Sequence, residues 1–205
     1  MIIVSDNQVS NKLFAVSFDT VTYRDLQSFL FENNCGNYEL TRIDPLEFIG
    51  LHTHAPGSYI NLITKDMKLR QQISEIFECN NLFRFSLIHE KAYTHFANIG
   101  LGCMVYPMVS MYTNTTLSND IIVHSMSMIA HDCSIGLGSY ISAGVNVAGT
   151  TKIGKFCQIG LAAVITDNIN IVDNTVIGMN TMVRKSIVDP GVYINQTNSK
   201  LIKLR

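Results

Sequence analysis

From Ile99 onward an aliphatic residue returns at every sixth place: Ile99, Val105, Met111, Leu117, Val123, Ile129, Ile135, Ile141, Val147, Ile153, Ile159, Ile165, Ile171, Ile177 and Val183. Neither the 3.6-residue period of a helix nor the two-residue period of a strand produces this spacing. Two places before each stands, with few exceptions, a small, β-branched or thiol side chain, from Ala97 and Cys103 to Thr181. One place after, glycine is frequent, as at Gly100, Gly136, Gly154, Gly160 and Gly178. Short internal repeats stack into solenoids. A six-residue unit suits one flat side of a triangular prism, with a brief strand pointing its aliphatic residue inward and a small or glycine residue letting the chain bend. Three sides make a coil of eighteen residues, so the fifteen units predict five coils. Residues eighteen apart then stack on one corner, about 4.8 Å from each other. In the dry, narrow interior Cys103, Cys133 and Cys157 are expected as compact hydrophobes rather than reactive thiols.

The first ninety residues follow another pattern. "MIIVS", "LFAVSF" and "SYINLI" (58–63) predict short strands. "TYRDLQSFLFENN" predicts a helix that opens with Thr22 and Asp25 at capping-box spacing. "KDMKLRQQISEIFECNN" predicts a second, with Leu69, Ile73, Ile76 and Phe77 on one face and Thr64 as its cap. Strand alternating with helix implies a short parallel sheet. The expected architecture is a small α/β domain over 1–90, a degenerate Rossmann-like unit, followed over 91–205 by an all-β parallel β-helix of hexapeptide repeats. A nucleotide-binding sheet of this kind carries a glycine loop after its first strand, and "SDNQVSNK" holds none.

Composition narrows the picture. A net charge of −1 leaves no electrostatic footprint for nucleic acid or an anionic membrane. Only 15% of residues are charged, against about a quarter in typical domains. The hexads therefore present faces suited to packing on other subunits, and a homotrimer is expected. Cys35, Cys79, Cys103, Cys133 and Cys157 form no CxxC and no paired framework, which favours reduced thiols and a cytoplasmic location. The start "MIIVSDNQVSNK" lacks the basic and apolar regions of a signal peptide, and no apolar run is long enough to span a bilayer.

One titratable residue stands out on this scaffold. His131, in "AHDC", falls two places after an inward aliphatic residue, at a turn, with Thr113, Gly149 and Asp167 in its column. A ligand over His131 could approach the backbone of Gly149, whose N–H could stabilise an oxyanion. A base beside an open backbone donor is the minimum equipment for acyl transfer. Asp132 would favour the protonated imidazole if the turn brings the two side chains together, since neighbours on a strand diverge. Two other readings stay open. A zinc β-helix enzyme needs three converging imidazoles, and the hexads offer only His124 and His131. The alternating His52 and His54 of "LHTHAP" have no acidic or thiol neighbour, so no metal is expected. A non-enzymatic scaffold would make His131 incidental, and would gain no thermal stability from coenzyme A.

"NLFRFSLIHEKAYTHFANIG", "MIAHDCSIG" and "NVAGTTKIGKFCQIG" together resemble the NeuD/PglD-type sugar O/N-acyltransferases. The resemblance runs from about Ser58 to the C-terminus and is strongest over 82–185. It implies a left-handed β-helix, a trimer, a sugar nucleotide held by the N-terminal domain, and acetyl-CoA in the groove between subunits. On the motif "I-x-H-[DE]-C" it makes His131 the general base and Asp132 the residue that tunes it. It assigns backbone contacts with acetyl-CoA to Gly149, Leu161 and Met179, places Tyr140 and Gly160 along the same ligand, and makes His124 a substrate contact. The chain departs from the family at four places, the first being the missing glycine loop after the first strand, so the sugar-nucleotide site is not carried over residue by residue. His124 stands where relatives often have asparagine, Tyr140 where they often have histidine, and "NQTNSK" (195–200) where they close on a "G-N-P-A-K"-like segment. The resemblance implies acetyl-CoA-dependent N-acetylation of a nucleotide-linked 4-amino-4,6-dideoxy sugar for glycan biosynthesis, with O-acetylation as the alternative and no metal.

Overall fold

The structure, a computed structural model, describes residues 2–5, 12–17, 24, 26–28, 30, 38–51, 54–55, 57–63, 66–195 and 201–204. Three parallel sheets form the sides of a left-handed prism. The first face holds Phe85–Ile88, Met104–Val105, Ile122–Val123, Tyr140–Ile141, Gln158–Ile159, Thr175–Ile177 and Gly191–Asn195. The second runs from Ser110–Met111 to Met182–Val183, and the third from Ala97–Ile99 to Asn170–Ile171. The register advances eighteen residues per coil on every face, as in Ile122↔Tyr140, Met128↔Asn146 and Ser134↔Lys152. The periodic aliphatic residues from Val105 to Val183 form one buried core, with Ile99 half-buried at its edge. The first face extends beyond the five coils of the hexads, because Phe85–Ile88 pairs with Met104–Val105 before them and Gly191–Asn195 with Thr175–Ile177 after them. A hairpin with Leu201–Leu204 ends the stack. Of the closing "NQTNSK", only Asn195 lies among the described residues.

The bends are not made where the glycines suggested. The left-handed backbone conformation recurs three places after each inward aliphatic residue from Ile99 to Ile177, at Gly102, Met108, Asn114, Asp120, Met126, Asp132, Gly138, Gly144, Thr150, Phe156, Ala162, Asn168, Asn174 and Asn180. Asn and Asp tolerate this region because their short polar side chains bond locally. The glycines one place after the aliphatic residue serve close approach between coils instead. A Cβ at Gly136 would lie 2.5 Å from the backbone of Gly154, and one at Gly160 would lie 2.6 Å from the Met179 nitrogen.

The small residues two places before each aliphatic residue also have a role that spacing did not reveal. Their hydroxyls and thiols donate to a carbonyl fifteen residues on: Thr115 to Ala130 at 2.9 Å, Ser139 to Gly154 at 2.8 Å, Cys133 to Ala148 at 3.2 Å. Each such bond satisfies a carbonyl that a corner leaves outside the sheet ladder. Burial pushes the Cys103 thiol up to about 12 and the Cys157 thiol up to about 11, so both stay protonated and unreactive.

In the N-terminal domain Lys12–Val16 is the central strand, flanked in parallel by Glu39–Ile43 and Ser58–Asn61. Ile2–Ser5 instead pairs antiparallel with Phe85–Ile88. The glycine loop is therefore to be sought after Val16, where "SFDTVTY" also holds none. Residues 6–11 and 18–23 lie outside the described residues, as do Asp25, Cys35, His52 and Thr64. Residues 24, 26–28 and 30 are helical, as expected. The cap of the Met67–Cys79 helix is Asp66, whose carboxylate accepts from the Leu69 nitrogen at 3.0 Å. Leu69, Ile73 and Phe77 are buried, whereas Ile76 is only half-buried. Glu39–Ile43 and the Pro45–Gly50 helix escaped the sequence reading. The strand alternates too weakly, and the helix is one short turn set by its Asp44 cap and Pro45.

One residue joins the two halves. Arg70, fully buried on the Met67–Cys79 helix, donates to the carbonyls of Asn61 (2.9 Å), Ile63 (2.8 Å), Gly138 (2.8 Å) and Asp120. Asp120, buried at a solenoid corner, lies 3.6 Å from Arg84. Burial pushes its carboxyl up to about 6, although Arg84 and Arg70 pull it down. A carboxyl raised on folding contributes stability at low pH and loses it as pH rises through the folded value. Between pH 7 and pH 5 the wild-type protein is expected to gain about 1 kcal/mol relative to Asp120→Asn, measured by chemical unfolding at both pH values.

Candidate active site

His131 and Asp132 occupy the corner between Met128–Ile129 on the second face and Ser134–Ile135 on the third. Adjacent side chains can meet here because Asp132 adopts the left-handed conformation, with φ of 57°. Its Oδ2 lies 2.7 Å from His131 Nδ1, and its Oδ1 accepts from Asn114 Nδ2 at 3.0 Å. These two hydrogen bonds, first His131 and then Asn114, hold the Asp132 carboxyl below the usual range, so it stays ionised. With Nδ1–H directed to the carboxylate, Nε2 is left to accept a proton. Asn114 was missed from sequence, although its spacing of eighteen from Asp132 carried the signal.

The column drawn from the repeat is correct. Asp132 N donates to Thr113 O at 2.9 Å, Thr150 N to His131 O at 2.9 Å, and Asn168 N to Gly149 O at 3.0 Å. Gly149 sits directly against the imidazole, since a Cβ built on it would be 2.7 Å from Nε2 and 2.8 Å from Cε1. Among the described residues the Gly149 N–H donates to no protein acceptor. The bare backbone is thus a steric requirement for the position of His131. Gly149→Ala is expected to push the ring aside and lower kcat about 100-fold, because a displacement near 1 Å costs about that much. Thermal melting measured beside turnover should change little, since the ring it displaces is exposed.

The other residues expected at the site divide between two places. Gly160, Leu161 and Met179 lie on a different corner, between the first and second faces. Leu161 and Met179 stack there, with Asn180 N donating to Leu161 O at 2.7 Å, and both side chains are exposed along with Met108 and Met126. One chain therefore does not bring this corner to His131. Tyr140 stands on the first face, packed against the core where the two domains meet, and burial raises its hydroxyl. His124 stacks on Tyr106 at 4.2 Å between centroids and meets the edge of Tyr140 at 5.3 Å. His54 stacks on Phe48 at 4.6 Å. Among the described residues no three His, Cys, Asp or Glu side chains converge to hold a metal ion, and no helix is long and apolar enough to cross a membrane.

No family model matches the sequence. Over 80 residues the chain is 31% identical to a GDP-perosamine N-acetyltransferase of Escherichia coli O157:H7. That stretch is 38% of this chain and 36% of the relative, so the match spans about a third of the curated protein. The acetyltransferase domain of PglB from Neisseria gonorrhoeae superposes with a TM-score of 0.81 at 19% identity, over 95% of this chain and all of that one. The same domain has been solved in complex with acetyl coenzyme A, and superposes with a TM-score of 0.79 at 19% identity, again over 95% of this chain and all of that one. PerB from Caulobacter crescentus, solved with CoA and GDP-perosamine, superposes with a TM-score of 0.76 at 16% identity, over 94% of this chain and 96% of that one. The chain is similar in sequence to part of a GDP-perosamine N-acetyltransferase and shares the left-handed β-helix fold of solved acetyltransferases.

Proposed function

We propose that the protein transfers the acetyl group of acetyl-CoA to the amine of a nucleotide-linked amino sugar. The observation that carries this reading is the placement of His131 Nε2 against the bare backbone of Gly149, with Nδ1 tied to an ionised Asp132. The amine attacks the thioester carbonyl, and Nε2 takes the proton the nitrogen sheds as the bond forms. The Gly149 N–H stabilises the tetrahedral oxyanion. Collapse breaks the carbon–sulfur bond, and the imidazolium returns the proton to the CoA thiolate. Asp132 holds the ring and stabilises its cation. A neutral amine is preferred to a hydroxyl as acceptor because it needs less help from a single base.

The separation of the two corners supports a homotrimer in which the Leu161 and Met179 corner of one subunit faces the His131 corner of the next, with acetyl-CoA between them. The sparse charge of the hexads agrees with such packing. We place the protein in the cytoplasm, in glycan biosynthesis. The test is a thermal-shift screen with acetyl-CoA and UDP-, dTDP- and GDP-linked 4-amino sugars, followed by the mass of the digested sugar product. Acetyl-CoA at 100 times its Kd should add about 2.7 kcal/mol. No stabilisation and no acetylated sugar would overturn the reading, and light scattering that shows a monomer would overturn the trimer.

A further inference from the structure

The His131 and Asp132 side chains face solvent, 63% and 49% exposed. An exposed pair of this kind is ordinarily mobile, because water competes for both partners and ordering long side chains costs entropy. The terminal torsion of an aspartate is also broad, so nothing intrinsic aims its carboxylate. Here the carboxylate is held at both oxygens. Oδ2 lies 2.7 Å from His131 Nδ1, and Oδ1 accepts from Asn114 Nδ2 at 3.0 Å. The planar group cannot turn without breaking one of the two contacts.

The repeat places Asn114 for this task. It stands eighteen residues before Asp132, on the same corner one coil below, and both take the left-handed backbone, with φ of 60° and 57°. The two side chains therefore leave the corner side by side, about 4.8 Å apart, a gap that an amide and a carboxylate close between them. Other contacts across eighteen residues have a different use. Cys157 N donates to Ser139 Oγ at 3.0 Å, Val145 N to Ser127 Oγ at 3.2 Å and Lys155 N to Asp173 Oδ1 at 2.7 Å. Each of those side chains satisfies a backbone donor and so supports the coil. Asn114 gives its amide to a side chain instead. Asn168, two coils above Asp132 on that corner, donates to its neighbour Asp167 at 3.2 Å, so the corner itself does not require the bond that Asn114 makes. The amide supplies the donor that an ionised carboxylate needs, whereas a carboxylate in its place would repel Asp132.

We propose that Asn114 is a positioning residue for proton transfer, fixing Asp132 so that His131 keeps its proton on Nδ1 and presents a bare Nε2 to the acceptor. This rests on the acyl-transfer reading and extends its machinery one coil below the base. Asn114 acts through Asp132 and need touch neither the sugar nor acetyl-CoA. Without it the carboxylate swings toward water and the neutral imidazole divides between its two tautomers, of which one has no base at Nε2. The loss falls on kcat and not on binding.

The test compares Asn114→Gly, which removes the side chain and suits the left-handed backbone, with the nearly isosteric Asn114→Asp, which cannot donate when ionised. Turnover is measured with acetyl-CoA and the UDP-, dTDP- and GDP-linked 4-amino sugars. The tautomer of His131 is read by nitrogen-15 NMR of the full chain labelled at histidine, with the imidazole neutral and its signals assigned by comparison with His131→Ala. Asn114→Gly is expected to lower kcat about 5- to 10-fold, the worth of one hydrogen bond, and Asn114→Asp about 10- to 100-fold. KM, acetyl-CoA affinity and melting temperature should change little. In an Asp132→Ala background Asn114→Gly should alter kcat by less than about twofold, since the contact it serves is already gone. The Nδ1–H tautomer of the wild type should give way to a mixture in both variants. Wild-type kcat in both variants, an equal loss with and without Asp132, or an unchanged tautomer would each overturn the proposal. So would a lowered melting temperature together with weakened acetyl-CoA binding, which would make Asn114 part of the scaffold. The NMR measurement needs no substrate. A tautomer that follows Asn114 in a chain that acetylates none of these sugars would keep the positioning of the ring and overturn the acyl-transfer reading instead.

Discussion

His131→Ala is expected to lower kcat by about 10²–10⁴ and to leave acetyl-CoA affinity nearly unchanged, because on the proposed mechanism it removes a positioned general base, which contributes a factor of that size. The asymmetry follows from the layout. His131 and Asp132 stand on the corner between the second and third faces, whereas Leu161 and Met179 stand on the corner between the first and second. On the proposed mechanism, removing the imidazole takes away the proton acceptor and leaves the corner proposed for the coenzyme as it was. Thiol release followed by a chromogenic disulfide measures turnover, and calorimetry measures acetyl-CoA binding. Turnover within twofold of wild type would remove His131 from the mechanism. The pH profile adds a second reading. The hydrogen bonds from His131 and Asn114 hold the Asp132 carboxyl below the usual carboxylate range, so Asp132 should add no step to the acid limb of kcat/KM within or above that range.

Arg70→Met is expected to destabilise the protein by about 3–5 kcal/mol, the usual cost of removing one member of a buried charged network. Arg70 is fully buried and bonds to carbonyls of Asn61 and Ile63 in the N-terminal domain and of Asp120 and Gly138 in the solenoid. Methionine fills much of the same volume but returns none of these bonds, so four carbonyls and the Asp120 carboxylate are left in a site closed to water. Part of the loss will be offset because the guanidinium is itself costly to bury. That cost shows as a fall of its pKa to about 10, led by desolvation. Chemical unfolding measures the loss, and hydrogen exchange should rise first along Ser58–Asn61 and around Gly138. A loss below 1 kcal/mol would mean that the domains are held by apolar contacts such as Tyr106, Tyr140 and Ile122 rather than by this residue.

Much of the solenoid was legible because its signal is local and repeated. The inward position recurs fifteen times, so one misleading residue could not shift the frame, and the eighteen-residue column followed by arithmetic. The bends were misread, since glycine frequency pointed one place after the aliphatic residue while the left-handed backbone lies three places after it. Asn and Asp at Asn114, Asp120, Asp132, Asn168, Asn174 and Asn180 were the clue. The bonding partner of Asp132 was missed because it comes from the coil below. In the N-terminal domain the order of strands placed Lys12–Val16 at the centre, a non-local pairing that no window of sequence contains.

The sequence by itself determined the prism, the inward residues and the stacking of His131 beneath Gly149, because a six-residue period admits one way of burying every aliphatic side chain. Only the tertiary structure decided that Asp132 turns onto the imidazole, that Arg70 ties the domains, and that Leu161 and Met179 stand on another corner from the base. Those facts depend on backbone handedness at a corner and on contacts between distant segments, which a periodic pattern does not encode.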